Sequence, residues 1–187
     1  LYFFYIASEE RRIMLERGQR PAILYIDLNG MRHFNRKHGF AEGDKLIRAI
    51  ADVLVQTFGR SVCSRFEQDH FAVITTTDGL EDTLHNIFSA CLVANGGKTL
   101  PVRIGIYVDN SGTLETSAAC DRAMVACNQN RRAYYSRFAY FNESMLEKAE
   151  NRQYIIDNLD RALEEQWIQV FYQPIVRAAN GRVCDEE

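Results

Sequence analysis

An apolar run at 22–28, which only Asp27 interrupts, constrains the fold of this sequence more than any other segment. Pro21 precedes the run, and Asn29 and Gly30 follow it. A continuous apolar segment of this length between turn residues is typical of a strand that is buried on both faces. The sequence therefore predicts a central strand around which the other elements pack.

A second β-type pattern flanks the polar segment 65–71, Arg-Phe-Glu-Gln-Asp-His-Phe. Strand-like runs lie at 61–64 and 72–77, and the second run is rich in the β-branched residues that favour strands. The pattern predicts a β-hairpin that presents Asp69 and His70 near its tip, where functional groups are often found. The alternative is a solvated turn without a function.

Asp27 and Asp69 are candidate metal ligands if the hairpin pairs beside the central strand. A buried carboxylate is tolerated when it is hydrogen-bonded, paired with a cation or bound to a metal. The two carboxylates would then converge on one hard divalent cation, with the backbone carbonyl of Leu28 as a further oxygen ligand. The alternative is that Asp27 only caps the next element.

The other elements are defined by helical periodicity or by strand-type composition. The predicted helices cover 2–17, 44–54, 80–91 and 116–130, the predicted strands cover 101–108 and 133–141, and a polar loop is predicted over 30–43. The last of these helices carries Ala119, Ala123 and Cys127 on one face, which would allow close approach to a sheet. The order of elements predicts an α/β sandwich with helices packed on a mixed sheet.

The sequence changes character after residue 141. Apolar residues at helical spacing predict one long helix over 142–166, with Asn142 as its N-cap. A strand follows at 169–176, and Asn180 with Gly181 indicates a turn. A single strand and a turn cannot complete a core, so this tail is predicted to open a second domain.

Composition and charge exclude several classes of protein. The formal net charge is -3 and charged residues make up 25% of the sequence, so neither nucleic acid nor an anionic membrane is expected as the main partner. No apolar run is long enough to span a bilayer, and the N-terminus lacks a signal-peptide pattern. A membrane anchor elsewhere in a longer protein stays open. The five cysteines are odd in number and lack Cys-x-x-Cys spacing, which favours reduced thiols in a cytoplasmic protein.

These motifs resemble the GGDEF family of diguanylate cyclases in a degenerate form. The residues that carry the resemblance are Tyr25-Ile26-Asp27, Asn35, Gly39, Gly43-Asp44 and the segment 65–71. The resemblance covers residues 1–141, although the family's N-terminal Asp-x-Leu-Thr-Gly-Leu motif is missing. It implies the ferredoxin-like palm of nucleotidyl cyclases, an α/β sandwich with a central, mixed, mainly antiparallel five-stranded sheet flanked by helices.

The tail at 167–187 is similar to the start of an EAL domain, the cyclic-di-GMP phosphodiesterase barrel. The similarity rests on the run from Trp167 to Val176, on Gly181 and on Glu187, which matches the glutamate in the name of that family. The implied order is a degenerate GGDEF domain at 1–141, a linking helix at 142–166 and a truncated EAL domain at 167–187.

The GGDEF resemblance implies a nucleotide site with two divalent cations, Mg2+ or Mn2+. In the family, two GTP-loaded domains face each other and each contributes one nucleotide to cyclic di-GMP, which implies a homodimer and leaves a monomer open here. Asp27, the carbonyl of Leu28 and Asp69 match metal-binding positions. Asn35 and Asp44 match the pair that reads the guanine edge, a role that suits an amide and a carboxylate.

Arg132 matches an arginine that contacts the phosphates in the family. Each of these residues also has a structural alternative. Asn35 could be only a turn residue, and Asp44 only a negative charge near a helix N-terminus. Taken as a set, the residues favour a nucleotide site.

Departures from the family pattern predict a weakened catalytic site. Glu67 and Gln68 replace the signature's two glycines, so side chains occupy space where a backbone would approach the ligand. His70, which with Asp69 forms the candidate catalytic pair, replaces a glutamate, while Phe71 is retained. Further departures are Asn29 for an aspartate, Arg32 and Asn128 for lysines, and Phe58-Gly59-Arg60-Ser61 for the product-inhibition motif. Phosphoryl transfer depends on positioning and charge neutralisation, so these changes argue against catalysis.

Three functional hypotheses remain. The first is a degenerate GGDEF domain that makes no cyclic di-GMP but binds GTP and regulates an attached EAL phosphodiesterase, the domain that would meet cyclic di-GMP. The second is a nucleotide-free scaffold that dimerises or spaces domains. The third is an active cyclase that uses His70 and a single strong metal. The retained residues Asp27, Asn35, Asp44 and Asp69 favour the first.

Overall fold

Strand β1 (Pro21–Leu28) is the central strand of a five-stranded sheet in the computed structural model, which describes residues 2–67, 69–98, 100–129 and 134–186. The chain divides into two units, 1–147 and 148–187. The first unit also contains α1 (Tyr2–Glu16), α2 (Met31–His38), α3 (Phe40–Phe58), β2 (Cys63–Glu67), β3 (His70–Thr76), α4 (Leu80–Ala94), β4 (Val102–Val108), α5 (Thr116–Asn128) and β5 (Arg137–Tyr140).

The strand order of the sheet is β2-β3-β1-β4-β5. Strand β1 pairs antiparallel with β3 on one side and with β4 on the other, and β2 pairs antiparallel with β3. Only β4 and β5 run parallel. The predicted α/β class and the predicted mixed, mainly antiparallel five-stranded sheet are confirmed, and the hairpin does pair beside the central strand.

The two faces of the sheet carry separate cores because side chains alternate along each strand. Leu24, Ile26 and Leu28 of β1 are buried in one core with residues of α3 and α4. Ile23 and Tyr25 belong to the other core, which α1 and α5 cover. The functional candidates at the end of β1 are therefore positioned by helices on both sides.

Helix α5 approaches the sheet closely, as its small residues predict. Ala119, Ala123 and Cys127 are all buried. A Cβ atom added to Gly105 of β4 would lie 1.9 Å from the carbonyl oxygen of Ala123 and 2.3 Å from the backbone nitrogen of Cys127. The absence of a side chain at Gly105 is therefore what allows this packing.

The prediction of a loop over 30–43 is wrong. This stretch contains α2 and the first residues of α3, separated by Gly39 with a φ of 88°. Helix α2 buries only Met31, with Phe34 packed beside it, so its apolar stripe is too short to show helical periodicity in the sequence. Helix α3 begins at Phe40, and Asp44 lies one turn inside it instead of at its start.

The hairpin is longer toward its tip than the sequence predicts. Strands β2 and β3 reach Glu67 and begin at His70, so most of the polar segment 65–71 is strand. Phe66 packs in the core beneath α1, with ring centroids 5.2 Å from Phe3 and 5.6 Å from Phe4. Polar residues alternate with Phe66, so the sequence does not indicate that this part of the hairpin is a strand.

The second unit contains the end of one helix, a short second helix and a two-stranded sheet. The predicted single helix over 142–166 is divided into α6 (Glu143–Asp157) and α7 (Leu159–Glu164), and a hydrogen bond from the Asn158 side chain to the Tyr154 carbonyl marks the break. The predicted strand over 169–176 forms only at β6 (Pro174–Val176), which pairs antiparallel with β7 (Val183–Glu186).

Apolar side chains in the second unit are exposed. None of the side chains described from 148 to 184 is buried, including those of Trp167 and Phe171. The assignment of 167–187 to the start of an EAL domain stays a prediction. Among the described residues of the whole chain, no helix is long and apolar enough to cross a membrane.

Candidate functional site

Asp27 lies near the end of β1, where the register of the sheet determines its neighbours. It is opposite His70 on β3 and opposite Arg103 on β4. Cross-strand partners project from the same face of a sheet, so all three side chains lie on the face that α1 and α5 cover. Arg103 Nη2 donates a hydrogen bond to Asp27 Oδ2. The two side chains are 8% and 11% exposed, so this is a buried ion pair.

Three carboxylates surround His70. Its Nε2 lies 3.8 Å from Asp27 Oδ1 and 3.9 Å from Asp69 Oδ1, and its Nδ1 lies 3.9 Å from Glu67 Oε2. These distances are too long for hydrogen bonds, so the contacts are electrostatic. The N–H of Leu28 donates to the carbonyl oxygen of Asp69 at 3.2 Å, which ties the turn of the hairpin to the end of β1.

Burial raises the pKa of the Asp27 carboxyl above its ordinary value. The positive charge of Arg103, and that of His70 when it is protonated, oppose this rise, while Asp69 adds to it. Burial also raises the pKa of Tyr25, on the same face of the sheet, to about 12. The ionised form of Asp27 therefore depends on its contact with Arg103.

A cavity of about 610 Å³ is lined by residues of α2, α3 and the hairpin turn. Asn35 of α2 and Asp69 of the turn both line it, although they are distant in the sequence. Arg32 and Arg36 of α2 add positive charge, and Phe40 adds an aromatic ring. The arrangement offers an amide, a carboxylate and an aromatic surface, the kinds of group that hold a nucleobase, together with cations that suit phosphates.

The side chain of Asn35 lies directly over Gly43 of α3. A Cβ atom added to Gly43 would be 1.8 Å from Asn35 Oδ1. That oxygen is buried and has no hydrogen-bond partner among the described residues. Asp44, the other predicted guanine ligand, is exposed on α3 and does not line the cavity. The structure therefore brings Asn35 and Asp69 together and leaves Asp44 outside.

A second cavity, of about 620 Å³, lies on the face that α1 and α5 cover. Its lining includes the carboxylates of Asp27, Glu67 and Asp121, together with Arg65 and His70. The Glu67 side chain is 79% exposed, so its charge faces solvent near the tip of the hairpin. Acidic side chains in this number do not favour a phosphate group.

A family model described as "Diguanylate cyclase, GGDEF domain" matches residues 2–134. The chain belongs to the GGDEF family. The match includes strands β1 to β4 of the sheet and both cavities, and it ends before β5. The resemblance that the sequence motifs indicate is therefore confirmed at the level of the family.

Two curated relatives of this GGDEF domain are proteins of cyclic-di-GMP metabolism from Pseudomonas aeruginosa. One, named cyclic di-GMP phosphodiesterase NbdA, is 25% identical over 178 residues, which are 89% of this chain and 22% of the relative. The other, named bifunctional diguanylate cyclase/cyclic di-GMP phosphodiesterase MucR, is 25% identical over 181 residues, 90% of this chain and 26% of the relative. The chain thus spans about a quarter of the length of these relatives.

A solved structure confirms the fold of the GGDEF domain. The GGDEF domain of TpbB (YfiN) from Pseudomonas aeruginosa superimposes with a TM-score of 0.63 at 21% identity, over 80% of this chain and 92% of that one. At this identity the comparison establishes the shared fold and not a shared activity.

The structure shows no group of side-chain ligands at the residues predicted to bind metal in this GGDEF domain. Among the described residues, no three histidine, cysteine, aspartate or glutamate side chains lie close enough to hold an ion together. Asp27 Oδ2 engages Arg103, and a guanidinium on that oxygen does not fit a divalent cation there. Metal binding by Asp27, Leu28 and Asp69 stays a prediction, and the ion pair disfavours it.

Arg103 is a site residue that the sequence motifs do not predict. Its signal was a single charge inside the apolar strand run 101–108, comparable to Asp27 inside 22–28. Two opposite charges in two buried strands would have predicted a pair. Gln68, Arg132 and Glu187, by contrast, lie outside the described residues, and their predicted roles stay predictions.

Proposed function

We propose that this GGDEF domain binds GTP as the regulatory domain of an attached EAL phosphodiesterase and does not itself make cyclic di-GMP. The observation that carries the proposal is the contrast between the two sides of the end of β1. On one side Asn35 and Asp69 line an open cavity with two arginines. On the other side Arg103 forms a buried ion pair with the carboxylate of Asp27.

Retention of a guanine site is supported by the cavity beside α2. An amide and a carboxylate can together satisfy the donors and acceptors on the edge of guanine. Asn35 Oδ1 is buried and unpartnered among the described residues, so a ligand that reorients this amide would relieve an unmet hydrogen bond. Arg32 and Arg36 lie where they can approach the phosphates of a bound nucleotide.

Loss of catalysis is supported by the charges around His70. Phosphoryl transfer requires that negative charge on the phosphates be neutralised. Here Asp27, Asp69 and Glu67 all lie within 4 Å of one imidazole, and Arg103 is already paired with Asp27. The carboxylates around His70 would therefore repel phosphate oxygens instead of neutralising their charge.

Regulation of a phosphodiesterase is supported by the relatives' names and by the predicted EAL tail at 167–187. One relative is named a cyclic di-GMP phosphodiesterase and another a bifunctional enzyme. GTP can regulate an attached domain only if it binds one arrangement of the protein more tightly than another. The phosphodiesterase activity of the longer protein is therefore expected to change when GTP is added.

Titration with GTP tests the proposal directly. We expect saturable binding by calorimetry and a rise in melting temperature, because a ligand that binds only the folded state stabilises it. Asp69→Ala is expected to weaken binding about tenfold, because its carboxylate lines the cavity together with Asn35. Asp52→Ala, which removes an exposed aspartate of α3, serves as the matched control.

Three results would contradict the proposal or favour one of its alternatives. No binding at millimolar GTP favours the nucleotide-free scaffold. Equal losses in the two aspartate variants contradict a role for Asp69 in binding the nucleotide. Cyclic di-GMP formed from GTP and Mg2+, and abolished by Asp69→Ala, favours the active cyclase.

Substitution of Gly43 gives an independent test of Asn35. In Gly43→Ala the new methyl group would overlap Asn35 Oδ1, so the amide must leave its present position. Stability is expected to change by less than about 1 kcal/mol, because alanine favours the helix and the displaced group is the end of a side chain. GTP binding, in contrast, is expected to weaken about tenfold, as in Asn35→Ala. Unchanged GTP affinity in Gly43→Ala would contradict a role for this amide.

A further inference from the structure

The positive charge beside Asp27 at the end of β1 comes from an arginine of the same chain, Arg103. Arg103 is a residue of β4, and its backbone is fixed by pairing with both β1 and β5. Its carbonyl oxygen also accepts a hydrogen bond from the Cys127 thiol at 3.5 Å. The guanidinium is thus delivered to Asp27 by the core of the sheet and not by a surface loop.

Burial of the Arg103 guanidinium requires a carboxylate in contact with it. A charged side chain that is 8% exposed loses most of its hydration, and an opposite charge in direct contact is needed to offset that loss. Asp27 supplies this charge at 11% exposure. Arg103 Nε is buried and has no partner among the described residues, whereas Nη2 donates a hydrogen bond to Asp27 Oδ2.

The ion pair engages an oxygen of the carboxylate on which a divalent cation is predicted. Mg2+ and Mn2+ require oxygen ligands in direct contact, at about 2.0–2.1 Å for Mg2+. Asp27 Oδ2 is engaged by Arg103, and Oδ1 faces His70 at 3.8 Å. A metal ion on this carboxylate would meet a guanidinium of like charge, and the low exposure of both side chains limits the screening of that repulsion.

We propose that Arg103 is an internal counter-ion that takes the place of a divalent cation on Asp27, so that this domain binds guanine nucleotide without Mg2+ or Mn2+. The nucleotide part rests on the proposed function, whereas the replacement of the metal rests on the ion pair alone. Arg103 acts through Asp27 and the shape of the site, which makes it a positioning residue.

Direct measurement of Mn2+ binding tests the replacement without any nucleotide. Electron paramagnetic resonance reports free Mn2+ in a titration of the complete chain and of Asp27→Asn. We expect the two proteins to bind Mn2+ equally weakly, because Asp27 is already paired. A Mn2+ site that is present in the natural chain and lost in Asp27→Asn would overturn the proposal.

Substitution of Arg103 tests whether the guanidinium is what excludes the metal. Arg103→Ser is expected to gain a Mn2+ site, and Arg103→Ser with Asp27→Asn is expected to lose it. Arg103→Lys keeps the charge and is the matched control that should gain nothing. A folded Arg103→Ser protein with no new site would contradict the proposal. If that variant does not fold, the comparison of the natural chain with Asp27→Asn decides alone.

The nucleotide part is tested by titrating GTP with EDTA and then with excess Mg2+. Equal affinity, within about threefold, is the expected result. Binding that requires Mg2+ would overturn the proposal. Absence of binding under both conditions would instead reject GTP as the ligand, and the Mn2+ measurements would still decide whether Arg103 replaces a metal.

Discussion

Gly105→Ala is expected to destabilise the first unit by about 3 kcal/mol or more. The added methyl carbon would lie 1.9 Å from the carbonyl oxygen of Ala123 and 2.3 Å from the backbone nitrogen of Cys127. Both atoms belong to the backbone of α5, so the overlap cannot be relieved by a side-chain rotation. Helix α5 would have to move away from β4 and would lose buried contacts. Urea denaturation followed by circular dichroism measures the loss.

The matched control for this prediction is Gly43→Ala. Its added carbon also overlaps a neighbouring atom, but that atom is the end of the Asn35 side chain, which can move. Alanine is ordinarily more favourable than glycine in the interior of either a strand or a helix, so a loss at Gly105 alone identifies the contact with the α5 backbone. Equal unfolding midpoints for Gly105→Ala and the natural chain would show that α5 is less tightly packed than the structure indicates.

Periodicity predicted the elements whose apolar faces are long. Strand β1 is predicted because it is buried on both faces, and α4 because its buried residues recur over about three turns. Helix α2 was missed because its polar sequence buries a single residue, Met31. Its cavity could not be predicted for the same reason, since a loop at 30–43 gives Asn35 no defined position.

Contacts between residues that are distant in the sequence could not be predicted either. Asp27 and Asp69 were identified from local patterns, and the hairpin does bring Asp69 to the end of β1. The partner of Asp27, however, lies 76 residues away, on a strand whose register no local pattern reveals. Local patterns therefore predict a metal at Asp27 and cannot predict that the chain pairs this carboxylate with its own arginine.

Arg103→Met is expected to lower the free energy of unfolding by about 3–5 kcal/mol at neutral pH. Methionine retains much of the apolar volume of the arginine, so the main change is loss of the positive charge. The carboxylate of Asp27, which is 11% exposed, would then be buried without a cation. The double variant Asp27→Asn with Arg103→Met removes both charges and is expected to recover most of the lost stability, which urea denaturation of all three proteins would reveal.

The pH dependence of Arg103→Met separates a charge effect from a packing effect. Burial already raises the pKa of Asp27, and loss of Arg103 removes the strongest influence that opposes this rise. A carboxyl group whose pKa is higher in the folded state than in the unfolded state favours folding most at low pH, and that contribution is lost as pH rises through the raised pKa. The deficit of Arg103→Met should therefore shrink as the pH is lowered from neutrality toward the ordinary aspartate value of 3.8, because protonation then neutralises the buried carboxyl. A deficit that stays constant over this range would assign the effect to packing, and the ion pair would then have no electrostatic role in the stability of the domain.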